Sequence, residues 1–223
     1  MYAILDIETT GGKFNEEGIT EIAIYKFDGH EIVDQFISLV NPEKPIQEFV
    51  VKLTGINNKM LRNAPKFFEI AKRIVEITKN CILVAHNSSF DYRILRTEFN
   101  RLGFDFERNT LCTVELSQTL ILEQPSYSLG KLTKSLGIPI SDRHRATGDA
   151  LATVKLFKLL LAKDDKKTII QNAIKYFDKR LEKEKLKNLI AEIPNVIGVF
   201  YVHDTNGKVI YIGKGKNIKF NSI

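Results

Sequence analysis

The stretch YAILDIE at residues 2–8 constrains the fold more than any other, because an unbroken apolar run ends in two acids. Apolar residues at consecutive positions are typical of a β-strand that is buried on both faces. Residues two apart on a strand point to the same face, so Asp6 and Glu8 are predicted to lie side by side. Two like charges at that distance repel each other unless something positive lies between them. A strand end that frays into solvent would also tolerate the pair, so the rest of the chain has to decide.

The rest of the first half indicates a mixed α/β sheet. Two alternating runs within 18–42, with an Asp-Gly turn signal between them, predict that the first three strands form an antiparallel meander. A second apolar strand, CILVAHN at 81–87, precedes a helix predicted at 88–103, with Ser88 or Ser89 as its N-cap. The other predicted elements are a short helix or loop at 46–56, helices near 66–78, 113–122, 128–136 and 144–162, and a strand near 110–113.

Composition and charge are ordinary for a soluble globular protein. Hydrophobic residues make up 43% and charged residues 27% of the 223 residues, and no run approaches the ~20 apolar residues of a membrane span. The first residues read as a strand and not as a signal peptide, and Cys81 and Cys112 look like buried free thiols, so we expect a cytoplasmic location. The net charge is +6, and residues 1–162 hold 20 basic and 20 acidic side chains, so the excess lies beyond them and is weak evidence for nucleic acid.

The last quarter of the chain predicts two further pieces. Residues 163–193 carry an apolar stripe on a highly charged background, which is typical of a long linker helix that packs on another surface. Two short strands within 197–213 flank Asn206-Gly207, a pair typical of a β-hairpin turn.

A group of acids answers the question that the first strand raises. Asp91 lies early in the helix after the second apolar strand, and Asp149 lies in the first turns of the helix at 144–162, so both could converge on the end of the first strand. Four unpaired carboxylates cannot be buried together, because repulsion and desolvation would be prohibitive. Mg²⁺ and Mn²⁺ prefer oxygen ligands, and two such ions ~3.5–4 Å apart can clamp the attacking and leaving oxygens of a phosphodiester. A neutral imidazole at His144 could take a proton from the attacking water.

Three ordered blocks, DIETTG, HNSSFD and HRATGD, resemble the three sequence blocks of the DEDDh 3′→5′ exonucleases. The spacing H-x-x-x-x-D in the last block is that of the histidine subtype. Within this family, the chain resembles the epsilon proofreading subunit of bacterial DNA polymerase III and its stand-alone relatives. Lesser matches are LTGI at 53–56 and the stretches CTVELSQTL and YSLGKLTKSLGI, so the resemblance covers residues 1–162.

The resemblance implies a ribonuclease-H-like α/β fold with a mixed five-stranded sheet flanked by helices, followed by the linker helix and the hairpin. It implies that two divalent metal ions, Mg²⁺ or Mn²⁺, are held by the four acids and that His144 is the general base. The implied metal ligands are Asp6, Glu8, Asp91 and Asp149. The implied substrate contacts are Thr9, Thr10, Leu53, Ile56, Asn87 and Phe90. His86 is expected to be a structural histidine, and Arg145 a solvated surface residue.

The tail, GVFYVHDTNGKVIYIGKGKNIK, resembles the opening hairpin of GIY-YIG nuclease domains such as the one found in the excision-repair nuclease. Phe200 stands where that family has its first tyrosine, and the family's downstream arginine and glutamate have no counterpart in this sequence. The resemblance implies an incomplete GIY-YIG domain at 194–223, joined through the linker helix at 163–193 to an exonuclease domain at 1–162.

The sequence therefore predicts a metal-dependent 3′→5′ exonuclease that releases nucleoside 5′-monophosphates from single-stranded or frayed DNA ends, in replication proofreading or repair. An exoribonuclease of the same family stays open, since the blocks do not separate DNA from RNA. A catalytically silent nucleic-acid-binding module and a targeting partner for an endonuclease domain also stay open. A DNA polymerase or repair complex is a possible partner, no membrane association is expected, and the oligomeric state is left undetermined.

Overall fold

The computed structural model describes residues 1–177, 191–203 and 208–218. The chain divides into two units, Met1–Phe177 and Asp178–Ile223. Within the described ranges, no helix is long and apolar enough to cross a membrane. Both cysteines are buried free thiols, as predicted.

The first unit is built on a mixed five-stranded sheet, which confirms the predicted fold class. Its strand order is β3-β2-β1-β4-β5. The central strand β1 pairs antiparallel with β2 on one side and parallel with β4 on the other. The strands are β1 Tyr2–Thr9, β2 Ile19–Phe27, β3 Ile32–Leu39, β4 Ile82–Ala85 and β5 Thr110–Cys112.

Helices cover both faces of this sheet. They are α1 Glu48–Thr54, α2 Asn58–Leu61, α3 Phe67–Ile77, α4 Ser88–Arg101, α5 Thr113–Leu120, α6 Leu129–Ser135, α7 Ala146–Lys163 and α8 Thr168–Ala173. The pleat of β1 divides its side chains between two cores. Ala3, Leu5 and Ile7 pack in one core with residues of α3 and α4, and Ile4 packs in the other with residues of α7. Asp6 and Glu8 continue the Ile4 face, so the sheet directs both acids toward the side that α7 covers.

The turn from β4 into α4 differs from the prediction. The N-cap of α4 is Asn87, and not Ser88 or Ser89, with left-handed backbone angles of φ 80° and ψ 54°. Asparagine tolerates this conformation better than most residues. The left-handed residue reverses the chain in one step, so Asp91 falls in the first turn of α4, close to the end of the sheet.

The prediction of one continuous linker helix at 163–193 is wrong for residues 163–177. α7 ends at Lys163, and the short helix α8 follows after a turn in which the Asp164 carboxylate accepts the Ile170 N–H at 2.8 Å. Beyond α8, Lys175 forms an antiparallel bridge with Thr110, with N···O distances of 2.8 and 2.9 Å. These contacts satisfy the outer edge of β5, which a continuous helix would leave open. Residues 178–190 lie outside the described residues.

The second unit contains the predicted hairpin. β6, Gly198–His203, pairs antiparallel with β7, Val209–Gly215, and the Asn206-Gly207 turn lies outside the described residues. The Phe200 ring lies directly over Gly213, where a Cβ atom would collide with the ring. Glycine at 213 is therefore required by this close approach.

Candidate active site

Three acids meet at the end of β1. One ligand atom of each of Asp6, Glu8 and Asp149 lies within 4.8 Å of the others. The pleat of β1 places the first two on one face, and Asp149 reaches them from the first turn of α7, which packs on that face. A β-bulge between Glu8 and Thr9 ends the regular pairing of β1 at this point, as bulges next to active sites often do.

The fourth predicted acid, Asp91, lies outside this group of three but close to it. Its side chain is 4% exposed, and it accepts a backbone hydrogen bond from Ile7 on β1. Burial raises the pKa of Asp6 well above its ordinary value, and repulsion by Asp91 is the next largest cause. The structure therefore brings all four predicted acids into one electrostatic neighbourhood.

Burial and mutual repulsion hold the pKa values of these acids high. The pKa of Glu8 rises to about 8, first because of burial and then because of Asp149 and Glu21, while Arg145 acts in the opposite direction. The pKa of Asp91 also rises to about 8, chiefly because of burial. That of Asp149 is raised by burial, against a hydrogen bond from His144. Without a counter-charge, the cluster is thus strained in its fully ionised form.

The hydrogen bonding of Asp149 shows that the cluster fits a cation. Its Oδ2 accepts the backbone N–H of His144 at 3.2 Å, whereas its buried Oδ1 has no hydrogen-bond partner among the described residues. A buried carboxylate oxygen without a donor is costly unless it ligates a metal. An all-carboxylate donor set is the kind that Mg²⁺ and Mn²⁺ prefer.

His144 stands at the entrance to α7 in a strained conformation. It is half-buried, and its backbone is left-handed, with φ 62°. Such a conformation is uncommon for residues other than glycine, although histidine, asparagine and aspartate adopt it more often than most, and it is frequent at functional sites. The bond from its N–H to Asp149 fixes the histidine next to the acid cluster.

The two threonines after Glu8 shape the turn that leaves the site. Thr9 and Thr10 are buried, and the Thr10 hydroxyl accepts the Gly18 N–H at 3.1 Å and donates to the Gly11 carbonyl at 2.9 Å. The start of α1 docks on this turn, because the Gln47 N–H donates to the Thr10 carbonyl at 3.0 Å. The described geometry therefore gives the Thr10 hydroxyl a structural task, and substrate contact by either threonine stays a prediction.

The other predicted substrate contacts divide into exposed and buried positions. Leu53 on α1 is 51% exposed, whereas Ile56 is fully buried and packs with Ile46, Val50 and Leu61. Phe49, on the same helix as Leu53, is 61% exposed and approaches Gly11. Phe49 was not predicted, although its spacing of four residues from Leu53 puts both on one helix face.

Asn87 and Phe90 lie at the start of α4 on the surface. Phe90 is 36% exposed, and the Arg93 guanidinium lies 5.4 Å from the centre of its ring and 4.3 Å from that of Phe14. Phe14, which is 46% exposed, was also not predicted. Because the loop at 11–18 has no regular periodicity, its contact with α4 has no local signal in the sequence.

His86 is a structural histidine, in line with the expectation. One ring nitrogen, Nε2, lies 2.8 Å from the Tyr127 carbonyl and the other, Nδ1, lies 2.9 Å from the Thr113 hydroxyl. A carbonyl can only accept, so Nε2 carries the proton and Nδ1 accepts from the hydroxyl. Burial lowers the pKa of His86, which keeps it neutral.

Arg145 is not the solvated surface residue that the sequence suggested. Its guanidinium binds both carboxylate oxygens of Glu21, at 3.0 and 2.6 Å. Glu21 is 3% exposed. The sequence does contain a signal for the buried Glu21, because it is a single acid inside the largely apolar run ITEIAIY.

Comparison with known proteins agrees with this geometry. The sequence profile RNase_T, described as exonuclease, matches residues 3–157. A DNA polymerase III PolC-type of Caldanaerobacter subterraneus subsp. tengcongensis is 37% identical over 162 residues, which are 73% of this chain and 12% of that protein. A putative bifunctional exonuclease/endonuclease protein of Mycobacterium tuberculosis is 30% identical over 230 residues, which cover 98% of this chain and 36% of the relative. The chain thus spans about an eighth and about a third of these relatives.

Among solved structures, exonuclease X in complex with 5′-overhanging duplex DNA is 27% identical to this chain. The two align with a TM-score of 0.62 over 74% of this chain and 93% of exonuclease X. The described fold is therefore that of a known exonuclease over nearly its full length.

Proposed function

The chain belongs to the RNase_T exonuclease family, and from this premise we propose that it is a 3′→5′ DNA exonuclease that removes nucleoside 5′-monophosphates one at a time. The observation that carries the proposal is the convergence of Asp6, Glu8 and Asp149, together with a buried Asp149 oxygen that has no donor among the described residues. Asp91, buried beside Asp6, is the proposed fourth metal ligand.

The reaction assigned to this site is hydrolysis of the last phosphodiester bond. Two divalent cations, Mg²⁺ or Mn²⁺, would stabilise the charge on the attacking and leaving oxygens when bound to the acids. A ring nitrogen of His144 takes a proton from the attacking water. The water oxygen bonds to phosphorus as the bond from phosphorus to the 3′ oxygen of the preceding nucleotide breaks.

The chain's own residues would position the terminal nucleotide. The exposed Leu53 lies on α1, which docks on the turn after Glu8, and the half-exposed Phe90 lies one residue before Asp91. Apolar and aromatic side chains at these positions suit stacking against a base without sequence preference. We propose that these two surfaces, with Thr9, Thr10, Ile56 and Asn87 supporting them, hold the frayed 3′ end.

DNA is favoured over RNA by the relatives at 30% identity and above. One is a DNA polymerase III PolC-type. Exonuclease X, which is 27% identical, is likewise bound to DNA. We also propose a role in replication proofreading or repair, within a polymerase or repair complex in the cytoplasm; the polymerase name of that relative supports the replication role. The alternative is exoribonuclease activity on the same site, which shape alone does not exclude.

The test uses DNA and RNA of one sequence, labelled at the 3′ or the 5′ end, with Mg²⁺ or Mn²⁺. We expect rapid release of label as a mononucleotide from 3′-labelled DNA and a ladder of shortened products from 5′-labelled DNA. Asp6→Ala should abolish both, whereas Asp34→Ala, which breaks an ion pair between β3 and Arg73, should leave the rate unchanged. A variant Asp6→Ala with half the normal rate would contradict the site, and faster loss of RNA would favour the alternative.

For the hairpin unit we propose descent from a GIY-YIG nuclease domain. The support is the sequence resemblance, together with the alignment of 98% of this chain to a relative named as a bifunctional exonuclease/endonuclease. The matched exonuclease profile ends at residue 157 and does not extend to the hairpin.

A further inference from the structure

A fifth acid, Glu21, lies next to the four that the proposed mechanism uses. Glu21 on β2 is the direct antiparallel partner of Glu8 on β1, so both side chains lie on the sheet face that α7 covers. It is 3% exposed. Its charge contributes to the raised pKa values of Glu8 and Asp6. A like charge at this place destabilises the cluster, so its presence calls for a physical reason.

The contacts of Glu21 all lead to the start of α7. Its Oε1 accepts from the Arg145 guanidinium at 2.6 Å. Its Oε2 accepts from Arg145 Nε at 3.0 Å and from the backbone N–H of Ala146 at 2.8 Å. The residues that meet here are 124 and 125 positions apart in the chain. One carboxylate thus binds the N-cap residue and the first residue of α7 together.

α7 needs such a partner because the side chain of its own N-cap residue accepts no hydrogen bond from the free N–H groups at the start of the helix. The N-cap is Arg145, with extended backbone and no side-chain cap hydrogen bond, and arginine is a poor capping residue. Glu21 supplies the missing acceptor from β2, and its negative charge suits the positive end of the helix. The first turn of α7 carries Asp149. The residue before the N-cap is His144, whose N–H binds that same acid.

A neutral capping residue would satisfy the helix without adding charge beside Glu8. The bidentate pair with Arg145 does more, because a guanidinium and a carboxylate fix each other's orientation. Arg145 in turn opposes the rise of the pKa of Glu8. The pair therefore fixes the distance between α7 and the β1–β2 ladder at the point where the acids meet.

We propose that Glu21 and Arg145 form a clamp that positions Asp149 and His144 against Asp6 and Glu8. The proposal rests on the exonuclease function proposed above for the same site. Glu21 acts through the start of α7, as a positioning residue and not as a ligand or a base. Without it, the fold is expected to persist while the acids and the histidine lose their fixed geometry.

The test compares Glu21→Ala and Glu21→Gln with Asp164→Ala in the full chain. Asp164 is a matched control, because it is a buried acid, 5% exposed, whose carboxylate accepts the Ile170 N–H at 2.8 Å and so serves α8. Thermal unfolding along a Mn²⁺ titration measures the affinity of the acid cluster without any substrate. Initial rates on 3′-labelled single-stranded DNA, measured well below the unfolding temperature, give kcat and KM.

For Glu21→Ala we expect Mn²⁺ affinity and kcat each to fall by roughly 10–100-fold, as is usual when a group that orients metal ligands is removed. KM should stay within a few-fold. Glu21→Gln keeps an oxygen for Ala146 and Arg145 Nε but loses the second acceptor for the Arg145 guanidinium, so it should recover part of both losses. Asp164→Ala should lower the unfolding temperature while leaving Mn²⁺ affinity and kcat unchanged.

Normal Mn²⁺ affinity and kcat in a folded Glu21→Ala variant would overturn the clamp. So would equal losses in Glu21→Ala and Glu21→Gln, because that result would assign the effect to charge. A wild-type chain that degrades neither DNA nor RNA would instead contradict the proposed function, and the Mn²⁺ titration would still decide whether the clamp orders the acids.

Discussion

At the scale of single residues, the two carboxylate oxygens of Asp149 differ in their hydrogen bonding. Oδ2 is held by the backbone of the residue that we propose as the base, and Oδ1 has no donor among the described residues. This hydrogen bond comes from the His144 backbone, so a change of the His144 side chain keeps it. Removing that ring should separate proton transfer from metal binding.

We expect His144→Ala to lower kcat by roughly 10²–10⁴-fold, the usual contribution of a general base. The Mn²⁺ concentration that half-saturates thermal stabilisation should not change, because all four acids remain. His30→Ala, at an exposed histidine after β2, is the control and should keep full activity. Loss of Mn²⁺ binding in His144→Ala would show that the ring is a ligand and would count against its role as the base.

The raised pKa values predict how the metal-free protein responds to pH. Glu8 and Asp91 have folded-state pKa values of about 8, against ordinary values of 4.5 and 3.8. Between these limits the folded state retains protons that the unfolded state has released, so stability should fall as pH rises and level off above about 8. The lowered pKa of the buried His86 acts in the opposite direction only below the ordinary histidine pKa of 6.5, so the clean window is pH 7 to 8.

The measurement is the unfolding temperature in a chelator across that window. It should fall for the wild type and fall less for Glu8→Gln, which removes one of the titrating acids. Added Mn²⁺ should raise the unfolding temperature more at pH 8 than at pH 5, because the ion binds the ionised acids. An unfolding temperature that climbs from pH 7 to pH 8 without metal would show that the acids are not strained.

At the scale of elements, the packing of α7 against the loop before it fixes the position of His144. Gly148, inside α7, has no room for a Cβ atom, which would collide with the backbone carbonyl oxygens of Ser141 and Asp142. Those carbonyls belong to the loop that leads to His144. The loop therefore lies directly on the helix, and a single methyl group would push it away.

Gly148→Ala should lower both the unfolding temperature and the exonuclease rate. This reverses the usual effect, since alanine in a helix is about 1 kcal/mol more favourable than glycine. Gly130→Ala in α6 is the matched control, because its nearest neighbours are the guanidinium atoms of Arg143, which can move aside. If Gly148→Ala is as stable and active as Gly130→Ala, the loop is not held in the way described.

The sequence alone was sufficient to predict those elements whose residue pattern is local. The apolar run before Asp6 and Glu8 predicted the first strand and the face that the two acids share, because the period determines which residues share a face. The ordered blocks indicated Asp91 and Asp149 as their partners through the family resemblance. The start of the linker was mispredicted, because its apolar stripe fits a helix while its pairing with Thr110 is a long-range contact. The Glu21–Arg145 pair was missed for the same reason, since partners 124 residues apart leave no local pattern.

At the scale of the whole molecule, the first unit ends later than the sequence suggested. The predicted exonuclease domain stops at residue 162, whereas the compact unit extends to Phe177. Ile170 on α8 is 1% exposed and packs with the α7 core, and Lys175 pairs with the edge of β5. Residues 163–177 therefore belong to the folding unit, although none of them is a proposed ligand.

Three truncations follow from this boundary. Chains that end at residue 193 or at Phe177 should keep the unfolding temperature of the first unit and exonuclease rates within a few-fold of the full chain, because every proposed ligand and the base remain. A chain that ends at residue 162 should unfold at a lower temperature, because it exposes the edge of β5 and the surface under Ile170. This chain should not nick closed circular duplex DNA, since Phe200 stands where GIY-YIG nucleases, the proposed origin of the hairpin unit, have their first tyrosine. Nicking that survives Asp6→Ala would reveal a second working nuclease, and a large loss of exonuclease activity on removal of residues 194–223 would show that the hairpin unit helps to hold the substrate.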